Sequence, residues 1–254
     1  MITDLELTKQ LYDKPVFQRL LKRLAPLTGT EFGVLEAIVF GRAVDFFYRY
    51  SLFAKNIDAE GVTVDVGSGK IGIGVFIPEE NTISLDVNPE SVRSASGHRV
   101  IASAGDLPFR VGSVTTVVSG DCVEHLPKSV RASFIEDAKK AAKVVMVHTP
   151  NREYAQYTDS WLEETHQRLF GVGADMHVEH DLFGQPTVDE MGGYFGSSEN
   201  WTVQGTQNWR VNYILFILQR IPLVGWFSGL LFLVLLRGHY NIPPYYGMFI
   251  RWVK

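Results

Sequence analysis

Apolar positions change rhythm along the chain. Over residues 5–56 they recur at three- and four-residue intervals, at Leu20, Leu21 and Leu24, then at Leu35, Ile38, Val39, Val44 and Phe47. That spacing lines one face of a helix. Thr28-Gly29-Thr30 punctuates the run, with Thr30 as N-cap of the second helical stretch. From residue 62 short β-branched runs take over: 62–66, stopping at glycines; 82–87, ending in Asn88-Pro89; 114–119; and 143–148, ending in Thr149-Pro150. Residues 129–142 read as a helix. Strands alternating with helices predict βαβ units and a doubly wound, mostly parallel sheet covered on both faces, with ligands beyond the carboxyl ends of the strands.

After residue 150 the pattern loosens into a short helix at 189–195, a strand at 201–204 and a last strand at 247–253. Between these strands, 213–236 is strongly apolar, interrupted by Gln219, Arg220 and Pro222 and flanked by Arg210 and Arg237. As one helix it would be long enough to cross a bilayer core of ~30 Å. A single crossing cannot return both ends to one sheet, and the break at 220–222 leaves two pieces too short to span. A helical hairpin dipping into one leaflet, with the arginines and Trp226 at the interface, meets both constraints. A dimer contact or a lid over an apolar acceptor are its rivals.

Composition narrows the class. With 46% hydrophobic and 20% charged residues the chain is globular, neither disordered nor a disulfide scaffold. A net charge of −4 gives no footprint for nucleic acid. Cys122, the single cysteine, cannot form an internal disulfide. The first residues carry acids and no apolar run, so no secretory signal is expected there.

The chemistry concentrates in loops after strands. Val64-Asp65-Val66-Gly67-Ser68-Gly69-Lys70-Ile71-Gly72 ends a strand on an acid and then turns on glycines that let a ligand approach the backbone. The spacing also satisfies Gly-x-Gly-x-x-Gly, which in a dinucleotide site would open a helix aimed at a pyrophosphate. Asp65 tilts the reading toward a cationic ligand. Asp86 closes the second strand, placed to accept two hydrogen bonds from a ribose diol or to cap the helix that Pro89 starts. Asp106, in Gly105-Asp106-Leu107-Pro108-Phe109, suits an adenine amino group. Asp121-Cys122-Val123-Glu124-His125-Leu126-Pro127 follows the third run, at the same crevice.

In that order these motifs resemble the class I S-adenosylmethionine-dependent methyltransferases (type 11-like) over about residues 60–150, with Ile71 where many members have a third glycine. The resemblance implies S-adenosyl-L-methionine as cofactor, its ammonium at Asp65, its approach allowed by Gly67, Ser68 and Gly69, its ribose at Asp86 and Val87, its adenine at Asp106 and Leu107, and Asp121 on the donor side. It implies a Rossmann-like form of the sheet with seven strands, in one methyltransferase domain over 1–254: a helical cap (5–56), a cofactor-binding core (60–150), an acceptor-side segment (151–200) and an apolar helical insertion (211–240).

A hydroxyl acceptor needs a base or a metal. His125, His148, His166, His177 and His180 are the histidines available for that role. His177 and His180, at i and i+3, share a helix face, and these two with His125 are the catalytic candidates. Asp121, Glu124 and His125 resemble a divalent-metal cluster of some quinone-precursor O-methyltransferases, although no metal ligand is assigned. Tyr154, Tyr157, Trp161 and Phe170 are candidate walls of an acceptor pocket. The expected function is O-methylation of a small-molecule, glycan or lipid-linked acceptor at a membrane surface, by a cytoplasmic, peripheral or monotopic protein that forms a homodimer if the apolar face pairs with itself. The alternatives are a nucleotide-cofactor oxidoreductase and a non-catalytic membrane-associated module.

Overall fold

The computed structural model describes residues 44–58, 60–171, 177–221 and 224–254. The helical positions expected from Leu20 to Val39 lie outside them. Helix α1 (Val44–Asn56) is the part of the cap that is described. Strand β1 (Thr63–Val66) comes next, then two short 3-10 turns, Ile73–Val75 and Glu79–Asn81, and β2 (Thr82–Asp86). Helix α2 (Pro89–Ser94), β3 (His98–Ile101), β4 (Thr116–Gly120), α3 (Lys128–Ala141) and β5 (Val144–Pro150) complete the first half. The second half holds α4 (Arg152–Phe170), α5 (His177–Phe183), α6 (Val188–Phe195) and β6 (Trp201–Asn208). Helices α7 (Trp209–Arg220) and α8 (Val224–Leu231), a π turn (Phe232–Leu236), α9 (Arg237–Tyr240) and β7 (Tyr245–Val253) complete the fold.

The strands form one sheet in the order β3-β2-β1-β4-β5-β7-β6. It is parallel from β3 to β5, and β7 runs antiparallel to both of its neighbours. Neighbouring residues of β4 enter different cores, as the two-residue period of a strand requires. Val117 packs in a cluster with Phe134 and Ile135 of α3 and Met191 and Phe195 of α6. Val118 packs with Tyr50 and Phe53 of α1. Helices thus cover both faces.

Three details differ from the sequence reading. Strand β3 has no counterpart in it, because an edge strand with mostly exposed side chains shows no apolar alternation. The 201–204 strand runs on to Asn208, whose side chain then caps α7 by accepting the N–H groups of Arg210 and Val211. Between β1 and β2 there is no helix, only the two 3-10 turns.

The apolar insertion does lie between β6 and β7 and breaks at Ile221, as expected. Its inner side joins Val211, Leu215, Phe232 and Tyr240 to Val44 and Val75. Its outer side leaves Phe227 64%, Val234 75% and Leu235 61% exposed. No described helix is long and apolar enough to cross a membrane.

Candidate active site

The first loop folds back onto β2. The N–H groups of Gly67 and Ser68 both donate to the Leu85 carbonyl, and the Gly69 N–H donates to Asp86 Oδ2 at 3.0 Å. Gly67 has φ 72°, and a Cβ there would strike Cys122 Sγ at 2.6 Å, so the turn and the post-β4 loop can meet only at a glycine. Asp86 does not cap α2. Asn88 does, accepting the Glu90 N–H, while Asp86 Oδ1 accepts the Asn88 N–H. Asp65 is fully buried; its Oδ2 accepts the Ile73 N–H at 2.7 Å, and its Oδ1 has no hydrogen-bond partner among the described residues. Burial pushes its pKa up to about 7, although the Ile73 N–H, the Tyr50 hydroxyl and the Arg49 charge each favour the carboxylate.

Of the remaining cofactor candidates, Ser68 is buried and Val87 is 73% exposed. Leu107 is part of the main core, and Asp106 sits exposed on the loop after β3. No described bond ties Asp106 to the glycine turn.

Asp121 adopts φ 50°, a left-handed conformation that costs a non-glycine residue energy and marks a constrained position. Both of its oxygens are engaged. Oδ2 receives the guanidinium of Arg49, from α1, and Oδ1 lies 2.8 Å from His148 Nδ1. His148 Nε2 in turn meets Thr206 Oγ1 of β6 at 3.0 Å. Burial raises the Asp121 pKa, but Arg49 and His148 outweigh it and hold the carboxyl down to about 2. His148 thus links Asp121 to Thr206 of β6 through both of its ring nitrogens.

Beyond Asp121 a second cluster forms from two distant segments. The 3-10 turn Val123–His125 supplies Glu124, 1% exposed, and His125; α5 supplies His180. The imidazoles of His125 and His180 lie 4.9 Å apart, and each residue of the trio can present a ligand atom within 4.8 Å of the others. Asp121, the third member of the sequence trio, is not among them. Glu124 Oε2 accepts the Thr149 hydroxyl at 3.0 Å, and burial together with the nearby Asp121 charge pushes Glu124 up to about 8. His180 Nδ1 lies 2.7 Å from Asp159 Oδ2. Asp159 also receives the Gln185 amide, and the Tyr246 hydroxyl at 3.3 Å. Burial lowers the His180 pKa, but the Asp159 carboxylate more than reverses it, and the net shift is upward. His177 opens the same helix, one turn from His180.

Arg131 of α3 ties the two segments together. Fully buried, it donates to the carbonyls of Val123, Glu124 and Leu126 on one side and of Phe183 and Gly184 on the other, and pairs with Glu190 at 3.0 Å.

A cleft opens between these clusters and the apolar insertion. Asp121, His180 and Tyr246 line it together with Leu162 of α4 and Asn212, Leu215 and Phe216 of α7. Of the aromatics expected to wall it from α4, Tyr157 is 61% exposed, Trp161 packs on Trp209 at 5.2 Å, and Tyr154 is half-buried. The side chain of Phe170 lies outside the described residues.

Sequence reasoning missed Arg49, Tyr50, Arg131, Asp159 and Tyr246. Arg49 carried a signal, a lone cation within an aromatic run, Phe46-Phe47-Tyr48-Arg49-Tyr50. Asp159 carried none, since its partners come from other segments.

No protein-family model and no curated protein matches the chain. Solved structures do. A methyltransferase of an antibiotic biosynthesis pathway from Anabaena variabilis is 15% identical, with 78% of this chain and 93% of that chain covered at a TM-score of 0.52. A SAM-dependent methyltransferase from Thermotoga maritima is 15% identical over 85% of this chain and 97% of that chain, at 0.49. The magnesium protoporphyrin IX methyltransferase of Synechocystis, with bound SAH, is 11% identical over 93% and 99%, at 0.47. With helices on both faces of a seven-stranded sheet and the likeness to the Anabaena variabilis structure, the chain has the fold of the class I S-adenosylmethionine-dependent methyltransferases.

Proposed function

We propose that the chain is an S-adenosylmethionine-dependent methyltransferase that methylates an oxygen of a small-molecule, glycan or lipid-linked acceptor at a membrane surface. The observation that carries this reading is the buried Asp65 carboxylate, with one oxygen unpartnered among the described residues, beside a turn whose Gly69 has open space where a side chain would be. Burial disfavours this carboxylate more than the Ile73 N–H, the Tyr50 hydroxyl and the Arg49 charge offset, and an ammonium group beside it relieves the remaining cost. The donor set fits the cofactor. Asp65 holds the ammonium; Gly67, Ser68 and Gly69 give a close backbone approach; Asp86 and Val87 hold the ribose; and Asp106 and Leu107 flank the adenine. Asp121, fixed by Arg49 and His148, lines the donor side.

The cofactor's sulfonium supplies an activated methyl group, so the protein's work is orientation and exclusion of water. The cleft lined by Asp121, His180 and Tyr246 is the acceptor site. Of the catalytic candidates, His125 and His180 meet beside it with Glu124 and activate the acceptor hydroxyl; His177, on the same helix as His180, is the remaining candidate. The apolar outer face of the insertion rests on lipid, and α7, which walls the cleft from within, brings a lipid-linked acceptor to it. That arrangement makes the protein peripheral or monotopic.

The oxidoreductase alternative requires a helix N-terminus after the glycines to receive a pyrophosphate. Only the 3-10 turn Ile73–Val75 follows them. Titration calorimetry with S-adenosylhomocysteine and with NAD tests the choice: heat with the first and none with the second is expected, and the reverse overturns the reading. Absence of turnover on any hydroxylated extract, despite cofactor binding, would favour the non-catalytic module.

A further inference from the structure

We propose that Glu124, His125 and His180 form a binding site for one divalent transition cation of the zinc class. The three side chains present two imidazole nitrogens and a carboxylate oxygen within 4.8 Å of one another. A cation with bonds of about 2.1 Å spaces tetrahedral ligands about 3.4 Å apart, so small side-chain rotations close the set. Two nitrogens and one oxygen suit zinc and its neighbours better than magnesium or calcium.

Three further features separate this trio from a chance meeting of polar residues. Two of the ligands are oriented from behind by hydrogen bonds: Asp159 sits on His180 Nδ1 at 2.7 Å and the Thr149 hydroxyl donates to Glu124 at 3.0 Å, while the Glu179 carboxylate lies 2.7 Å from His125 Nδ1 as an ion pair. A carboxylate on Nδ1 leaves the lone pair on Nε2, which is how metal-binding histidines are commonly set. Arg131 locks the turn bearing Glu124 and His125 to the end of α5, so the spacing of the trio is held by a buried side chain and not by a loop. The nearby guanidinium of Arg49 is committed to Asp121, so it does not occupy the carboxylate that the cation would take.

With three protein ligands, a fourth position is left for an oxygen, and His180 also lines the cleft proposed for the acceptor. A hydroxyl bound there loses its proton to water more readily. That last step rests on the methyltransferase reading; cation binding itself does not.

The test is zinc titration of chelator-treated protein by calorimetry, with metal content measured after gel filtration and S-adenosylhomocysteine affinity measured on the same sample. One equivalent of zinc is expected. Glu124→Gln and His180→Asn should abolish its binding, and Asp159→Asn, which removes no ligand, should weaken it about 10–100-fold. A wild-type protein that retains no zinc overturns the site, as do variants that bind zinc as the wild type does. Should the variants fail to fold, wild-type protein decides: zinc must protect His125 and His180 from diethyl pyrocarbonate, read by mass spectrometry, and equal labelling with and without zinc refutes the proposal. Zinc bound without S-adenosylhomocysteine binding would sink the methyltransferase reading alone.

Discussion

Asp86 Oδ2 accepts the Gly69 N–H at 3.0 Å, so the acid that ends β2 holds the backbone of the loop after β1. In the proposed complex the same carboxylate meets the ribose. Asp86→Ala removes both functions. Charge-assisted hydrogen bonds contribute about 1.5–3 kcal/mol each, so the dissociation constant for S-adenosylhomocysteine should rise at least ~10-fold. Asp86→Asn keeps an acceptor for Gly69 and should lose less. An unchanged constant in the alanine variant removes Asp86 from the ribose site.

Asp65 makes ligand affinity depend on pH. Its buried carboxyl titrates at about 7, against an ordinary value of 3.8, so below that pH the ligand-free protein carries a proton there. An incoming ammonium must displace it. Affinity should therefore climb as pH rises toward ~7 and level off above, with proton release visible as buffer-dependent heats. The ligand-free protein should lose stability over the same rise, because the folded state binds that proton more tightly than the unfolded state. Asp65→Asn should flatten the affinity profile. A profile that stays sloped in the variant assigns the titration elsewhere.

His180→Asn separates chemistry from cofactor binding. His180 lies in the cleft and is set by Asp159, and Asp65 and the glycine turn form a separate cluster. Turnover should fall ~10²–10⁴-fold with S-adenosylhomocysteine affinity unchanged. Equal losses in both would make His180 a structural residue.

The exposed face of the insertion should govern where the protein sits. Phe227, Val234 and Leu235 are the side chains to change, because Phe232, on the same insertion, is fully buried in the core. Each large apolar group contributes ~1.5–3 kcal/mol when it leaves water. The triple serine variant should fold, bind S-adenosylhomocysteine normally and stop cosedimenting with liposomes. A wild type that ignores liposomes of any composition excludes lipid, and a change in elution volume between the two proteins would point to a dimer face.

Much of the sheet is legible in the sequence because β1, β2, β4 and β5 are buried and rich in β-branched residues. β3 is not, since exposed edge strands need no apolar pattern. The cofactor-side acids are legible for a related reason: they lie at or just beyond strand ends, where a parallel sheet binds ligands. The second cluster is half legible. Glu124 and His125 are neighbours in sequence, and His177 and His180 share a helix, but only the tertiary fold decides which histidine faces which. Arg131 looks like one polar position of an ordinary amphipathic helix, and its burial depends on carbonyls that five other residues present to it. The apolar stretch declares its break at 220–222 but not which of its residues turn inward.

The position of β7 bears on how the molecule is made. It is synthesised after β6, yet it lies between β5 and β6, and among the described residues β6 has no other partner in the sheet. While the chain emerges from the ribosome, β6 and the apolar helices behind it must wait unpaired. Thr206, on β6, and Tyr246, on β7, take their places against His148 and Asp159 only when residues 245–253 arrive. Both clusters are thus complete only once residues 245–253 are in the sheet, and a nascent chain stopped before residue 245 would leave β6 without the strand that joins it to β5.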